Sequence, residues 1–101
     1  MEPIFHITDA QQWYAAAATG VYTGSTLGKT LDEVGFIHCS YEHQVMPTGK
    51  LVYGDSDAEL VLLTIDPVRL DAPVKVENEF PHIYGPLTVD AVVAVGPFHV
   101  A

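Results

Sequence analysis

The chain carries a single cysteine, Cys39. No internal disulfide can form, and a reducing compartment, the cytoplasm, is the expected setting. Positive charge is scarce: Lys29, Lys50, Arg69 and Lys75 stand against thirteen acidic residues, a net charge of −9. Nucleic-acid affinity rests on neutralising phosphates with Lys and Arg, so no nucleic-acid partner is expected. An anionic membrane surface is excluded on the same ground. No apolar run approaches membrane-spanning length. The stretch Met1–His6 has neither the basic nor the apolar region of a signal peptide, and none is expected. Repeats, linkers and low-complexity segments are missing. So are the Walker loop, Gly-x-Gly-x-x-Gly, Gly-x-Ser-x-Gly, His-Glu-x-x-His and Cys-x-x-Cys.

What remains suits one compact domain over residues 1–101. Half of the residues are hydrophobic and 17% are charged, enough for one core and not for two. High negative charge favours a monomer or small homo-oligomer. A small-molecule ligand fits better than a macromolecule. An anionic one would depend on backbone amides, helix N-termini and histidines.

Ile4 to Ile7 reads as a first strand, with Phe5 and Ile7 on one side and Ile4 and His6 on the other. Thr8 or Asp9 caps a helix that runs to Thr19 and stops at Gly20, with Trp13, Ala16 and Ala17 on one stripe. Val21–Thr23 is extended, and the residues from Gly24 to Gly28 form a small-residue loop. Thr30 to Val34 makes a turn of helix ended by Gly35. Phe36–Cys39 is a second strand, and Ser40 is positioned to cap a helix from Tyr41. Pro47 and Gly49 predict a kink or a break in it near Met46. Glu59 to Ile65, nearly continuous in apolar residues, reads as a central strand. Val74 to Glu77 follows, with Lys75 and Glu77 on one face. Ala91 to Val95, prolonged past Gly96-Pro97, completes an α+β pattern with a mixed or antiparallel sheet and one or two helices in the N-terminal half.

Between the last strands lies Phe80-Pro81-His82-Ile83-Tyr84-Gly85-Pro86-Leu87. Two prolines and a glycine predict a stiff connection whose Tyr84-Gly85-Pro86 turn fixes where His82 points. His6, His38 and His82 each sit on or beside a strand, where an outward imidazole lines a cleft and titrates near working pH. The plain alternative is a set of half-buried histidines bonded to backbone. No metal site is read: His38 and His43 stand five apart across a strand–helix junction, which is no metal-ligand spacing. Cys39 alternates with His38, so it points to the core when His38 faces a cleft, and is read as a small hydrophobe. Asp55, Asp57 and Glu59 form a solvated rim.

His6-Ile7-Thr8, Gly20-Val21-Tyr22, Gly35-Phe36-Ile37-His38-Cys39-Ser40, Leu62–Asp66 and Phe80–Leu87, in this order, resemble the bacterial domain-of-unknown-function family DUF952 over essentially the whole chain. That family is similar in fold to the ADP-ribosyltransferase superfamily. The resemblance implies a small split-sheet α+β domain, ADP-ribosylation-like, with a cleft that in relatives holds NAD. Superfamily triads place an Arg or His on the first strand, a Ser or Tyr on a later one, and a Glu or its replacement on a third. By resemblance His6 takes the first role and Tyr22 or Ser25 the second. No Glu sits in a matching motif, and His82 is a replacement by position. An all-histidine set resembles the RNA 2′-phosphotransferase branch, against which the acidity of this chain argues.

The expectation is therefore a His-lined cleft with His6, His38 and His82 as catalytic residues. His6, Tyr22, Ser25, Ser40, Tyr84 and Gly85 would contact an NAD or ADP-ribose type nucleotide, with NAD as substrate. The reaction would be ADP-ribosyl transfer, hydrolysis or phosphotransfer. The alternatives are a non-catalytic small-molecule or nucleotide-binding module and a protein-interaction domain.

Overall fold

The computed structural model describes residues 2–25, 27 and 29–100. Its strands are β1 (Ile4–Asp9), β2 (Val21–Tyr22), β3 (Ile37–His38), β4 (Leu60–Ile65), β5 (Val74–Glu77), β6 (Phe80–Ile83), β7 (Leu87–Thr88) and β8 (Val92–Phe98). Its α-helices are α1 (Ala10–Thr19), α2 (Leu31–Val34) and α3 (Val45–Tyr53). They form an α+β fold with three antiparallel sheets, ordered β1-β4-β8, β2-β7 and β3-β6-β5. Among the described residues no helix is long and apolar enough to cross a membrane. Thr26 and Gly28 of the small-residue loop lie outside the described residues.

β4 is central because both of its faces are buried. Val61, Leu63 and Ile65 join a core with Ile4, Trp13, Tyr22, Ile37 and Ile83. Leu60 packs on the opposite side with Ile7, Val45, Tyr53 and Phe98 under α3. A strand covered on both faces has no polar alternation, which is the pattern its sequence shows.

The Asp9 carboxylate accepts the N–H groups of Gln11 and Gln12 at the start of α1. Gly20 ends it at φ 89°, a left-handed angle that favours glycine. The buried stripe is Ala10, Trp13 and Ala16. Ala17, expected on that stripe, is exposed. The Thr30 hydroxyl and Glu33 carboxylate cap α2 reciprocally.

Ser40 is not a helix cap. Its N–H donates to Phe5 O at 2.7 Å and its carbonyl accepts Phe5 N–H at 2.8 Å, tying the end of β3 to β1. The helical chain begins later, with a 3₁₀ turn at Glu42–Gln44 that runs into α3. The expected break near Met46 does not occur. Pro47 falls in the first turn of α3, where a missing N–H costs no hydrogen bond. Gly49 is required by packing, since a Cβ there would lie 2.5 Å from the Phe98 ring.

Phe80–Ile83 also departs from expectation. It is the middle strand of its sheet, not part of a stiff connection. Asn78 and Glu79, both with positive φ, close a two-residue hairpin from β5 to β6. Pro81 accepts Cys39 N–H at 2.9 Å but has no N–H to return. The regular β3–β6 ladder therefore stops at the His38–His82 pair. His82 is aimed by this pairing rather than by the Tyr84-Gly85-Pro86 turn. Gly85 serves packing, because a Cβ would sit 2.7 Å from the Ala72 Cβ.

Candidate functional site

The three histidines divide into two environments. His6 lies on the inner side of β1 and is 2% exposed. Its Nδ1 is 2.7 Å from His38 O and its Nε2 is 2.9 Å from the Tyr22 hydroxyl. A carbonyl only accepts, so Nδ1 carries the proton. Burial is the main cause that pushes the His6 pKa down to about 4, so the ring is neutral at pH 7. Nε2 is then an acceptor, and the Tyr22 O–H donates to it. Thr8 Oγ1 lies 2.8 Å from the same tyrosine oxygen and 3.2 Å from Gln12 Oε1. Burial likewise raises the Tyr22 pKa. The result is a neutral cluster of polar groups inside the core.

His38 and His82 stand opposite each other on β3 and β6, their ring centroids 5.2 Å apart. His82 Nδ1 is 2.8 Å from Glu77 Oε1, and the Tyr84 hydroxyl donates to the same carboxylate oxygen. Phe36 stacks on the His82 ring at 4.2 Å, nearly parallel. The carboxylate fixes Nδ1 as the protonated nitrogen and leaves the Nε2 lone pair without a partner among the described residues. Glu77 is held below the ordinary carboxylate pKa, first by the Tyr84 hydrogen bond and then by that from His82. His38 is pushed toward its neutral form, first by burial and then by His82. Phe80 tilts against His38 at 4.9 Å. Chemically this is an oriented carboxylate–imidazole pair with a second imidazole and a tyrosine hydroxyl beside it, which is the equipment of acid–base chemistry.

The structure brings His38, His82 and Tyr84 together and keeps His6 apart. His6 meets His38 through the latter's backbone carbonyl. The cavity that His6 and His38 both line, with Ser40, Thr48 and Tyr53, holds only about 20 Å³, the space of about one water. Ser25 is buried, and its hydroxyl donates to Phe36 O at 2.9 Å. Ser40 and Gly85 serve the backbone tie and the packing described above. Cys39 faces the core, where burial raises its pKa. Among the described residues no group of three His, Cys, Asp or Glu is arranged to hold a metal ion.

Glu77 and Phe36 were not singled out in the sequence. The signal for Glu77 was present: a two-residue turn at Asn78-Glu79 sets Lys75 opposite His82 and places Glu77 diagonally across from it. Pro81 hid that hairpin. A separate cleft of about 300 Å³ lies over α1 and β2, lined by Gln12, Thr19, Tyr22, Thr23 and Thr30. Gly24 lets the loop pack closely on Tyr22, because a Cβ there would lie 2.7 Å from the Tyr22 hydroxyl.

Residues 7–95 match the family described as protein of unknown function (DUF952). The crystal structure of protein CC0527 from Caulobacter crescentus is similar at a TM-score of 0.75 and 31% identity, covering 94% of this chain and 84% of that one. The solution NMR structure of CC0527 gives 0.70 and 32%, covering 95% and 84%. No protein of curated function matches the chain.

Proposed function

We propose, from the premise that this chain belongs to the DUF952 family of proteins of unknown function, that its working surface is the outer face of the β3–β6–β5 sheet. There Glu77, His82 and His38 act as an acid–base set on a small molecule. The observation that carries this reading is the Glu77–His82 contact at 2.8 Å with the His38 ring 5.2 Å away. Glu77 orients His82, whose Nε2 accepts a proton from water or a substrate hydroxyl. The protonated His82 ring then passes that proton to the leaving group, and the neutral His38 ring beside it hydrogen-bonds the ligand.

The finer reading, an ADP-ribosylation-like fold acting on an NAD or ADP-ribose type nucleotide by transfer, hydrolysis or phosphotransfer, gains a carboxylate from Glu77. Cleavage at an anomeric carbon develops positive charge on the ribose, which a nearby carboxylate stabilises. In this arrangement His6 acts behind Tyr22 as a positioning residue, because both of its ring nitrogens are already bonded within the chain. A second reading, a non-catalytic binding module, is favoured by the uncharged cleft of about 300 Å³ beside Tyr22, where threonines are mixed with Ala15, Ala16 and Val21, the lower end of ligand-pocket size at roughly 300–1,000 Å³.

Titration with NAD, ADP-ribose and nicotinamide, followed by histidine side-chain NMR and product analysis, tests both. The acid–base reading expects shifts at His38 and His82 with product, lost in His82→Gln. Backbone amide shifts at Tyr22 and Thr23 without turnover favour the binding module. Silence of both histidines toward every nucleotide sinks the nucleotide reading.

A further inference from the structure

Charge narrows the ligand of the outer face, an inference that rests on that face being the working surface. Phe36, His38, Phe80 and Tyr84 are all half-exposed there. Aromatic faces attract cations lying within about 6 Å of the ring centre. The sheet shows this once already, with Lys75 Nζ 4.8 Å from the Tyr84 centroid. Glu77 adds a carboxylate whose side chain is 45% exposed. In the hairpin register Glu77 stands directly across from Phe80, so a negative charge and an open ring are neighbours. Basic residues that could welcome an anion are nearly absent. Arg69 pairs with Asp66 at 3.6 Å away from this sheet, and Lys75 is the one cation its strands supply. An anionic ligand would also meet a chain of net charge −9.

We propose that this face binds a flat organic cation, of the amidinium or pyridinium class, laid on Phe80 and His38 with its positive edge toward Glu77. The ring faces supply cation–π attraction and the carboxylate an ion pair. Neither is available to an anion of the same shape.

Three probes with one ring and three charges test it: benzamidinium, benzamide and benzoate, titrated against the full chain by NMR at His38, His82 and the phenylalanine rings. Benzamidinium is expected to bind at least about fivefold more tightly than benzamide, from one exposed ion pair and one cation–π contact, with benzoate weaker still. Glu77→Gln brings the cation-to-neutral ratio toward one. Phe80→Leu weakens both probes, and Lys75→Met, which removes a competing cation, tightens benzamidinium. Benzoate binding as tightly as benzamidinium overturns the proposal. So does a charge preference that survives Glu77→Gln, or the absence of shifts with all three probes. Nucleotide turnover without benzamidinium binding sinks this inference alone. Charge-selective binding without turnover sinks only the catalytic reading.

Discussion

Two histidine sites built from similar parts lie on either side of β3, and solvent makes them different. Around His6 an imidazole, a tyrosine hydroxyl and a threonine hydroxyl satisfy one another in the core. Around His82, itself only 8% exposed, the imidazole reaches outward to a carboxylate and a tyrosine hydroxyl that are open to solvent. In the first, every polar group has a protein partner and the ring is locked neutral by burial. In the second, a carboxylate that the core could not hold is present, and one ring nitrogen is left over. Spare hydrogen-bonding capacity next to water is what a ligand or proton transfer needs, whereas saturation in the core serves stability. On the proposed reading the inner site serves the fold and the outer one the function.

The largest expected effect separates the two directly. His6→Ala strips the partners from His38 O and the Tyr22 hydroxyl in a buried place, and should cost roughly 3 kcal/mol or more. His38→Asn, at a half-exposed ring with no side-chain hydrogen bond among the described residues, should cost about 1 kcal/mol or less. Urea midpoints at pH 7 check this, and equal losses would erase the distinction.

Acid is the next lever. The folded pKa of His6, about 4, lies below its ordinary value of 6.5. Between those values the unfolded chain binds a proton that the folded chain refuses, so stability falls as pH drops through this window. The loss from pH 7 to 4 should be on the order of 3 kcal/mol. The lowered His38 pKa acts in the same direction. Glu77 is depressed below 4.5, so its share of acid sensitivity enters below the histidine window. Unfolding curves at half-unit pH steps should show a slope above pH 4.5 that His6→Ala reduces to the share of His38. A slope unchanged in that variant would mean that the ring is not buried in solution.

How much of this was legible follows from range. Local chemistry was readable: Asp9 and Gly20 bound α1, Thr30 and Gly35 bound α2, and apolar continuity marks β4 as central. The histidines stood out by type and strand position. What sequence could not supply was the pairing. Pro81 reads as a strand breaker, and only the register shows its missing N–H falling where β3 ends. With that hairpin hidden, Glu77 looked like one more surface acid. His6 looked like a cleft residue because nothing local reveals that Tyr22, sixteen residues on, closes its second nitrogen.

A matched pair of substitutions sharpens the comparison at smaller scale. Tyr22→Phe leaves His6 Nε2 without its donor in the core and should cost about 2 kcal/mol, the penalty of one buried unsatisfied group. Removal of the Tyr84 hydroxyl, at a half-exposed position, should leave stability nearly unchanged. Thermal unfolding of the two variants side by side reads the difference.

The smallest effect in energy is the most informative about the outer site. The Tyr84 hydroxyl is the first of the groups that hold the Glu77 carboxyl below its ordinary pKa. In Tyr84→Phe that pKa should rise while the fold stays intact, an outcome visible in the carboxyl ¹³C shift of Glu77. His82 keeps its own contact to Glu77, so its Nδ1–H tautomer should persist, readable from side-chain ¹⁵N shifts. Glu77→Gln should instead remove the charge that selects that tautomer. If Tyr84→Phe leaves the Glu77 titration unmoved, the hydroxyl does not belong to the outer set. If it destabilises the chain as much as Tyr22→Phe, the surface site is as structural as the buried one, and the division between them falls.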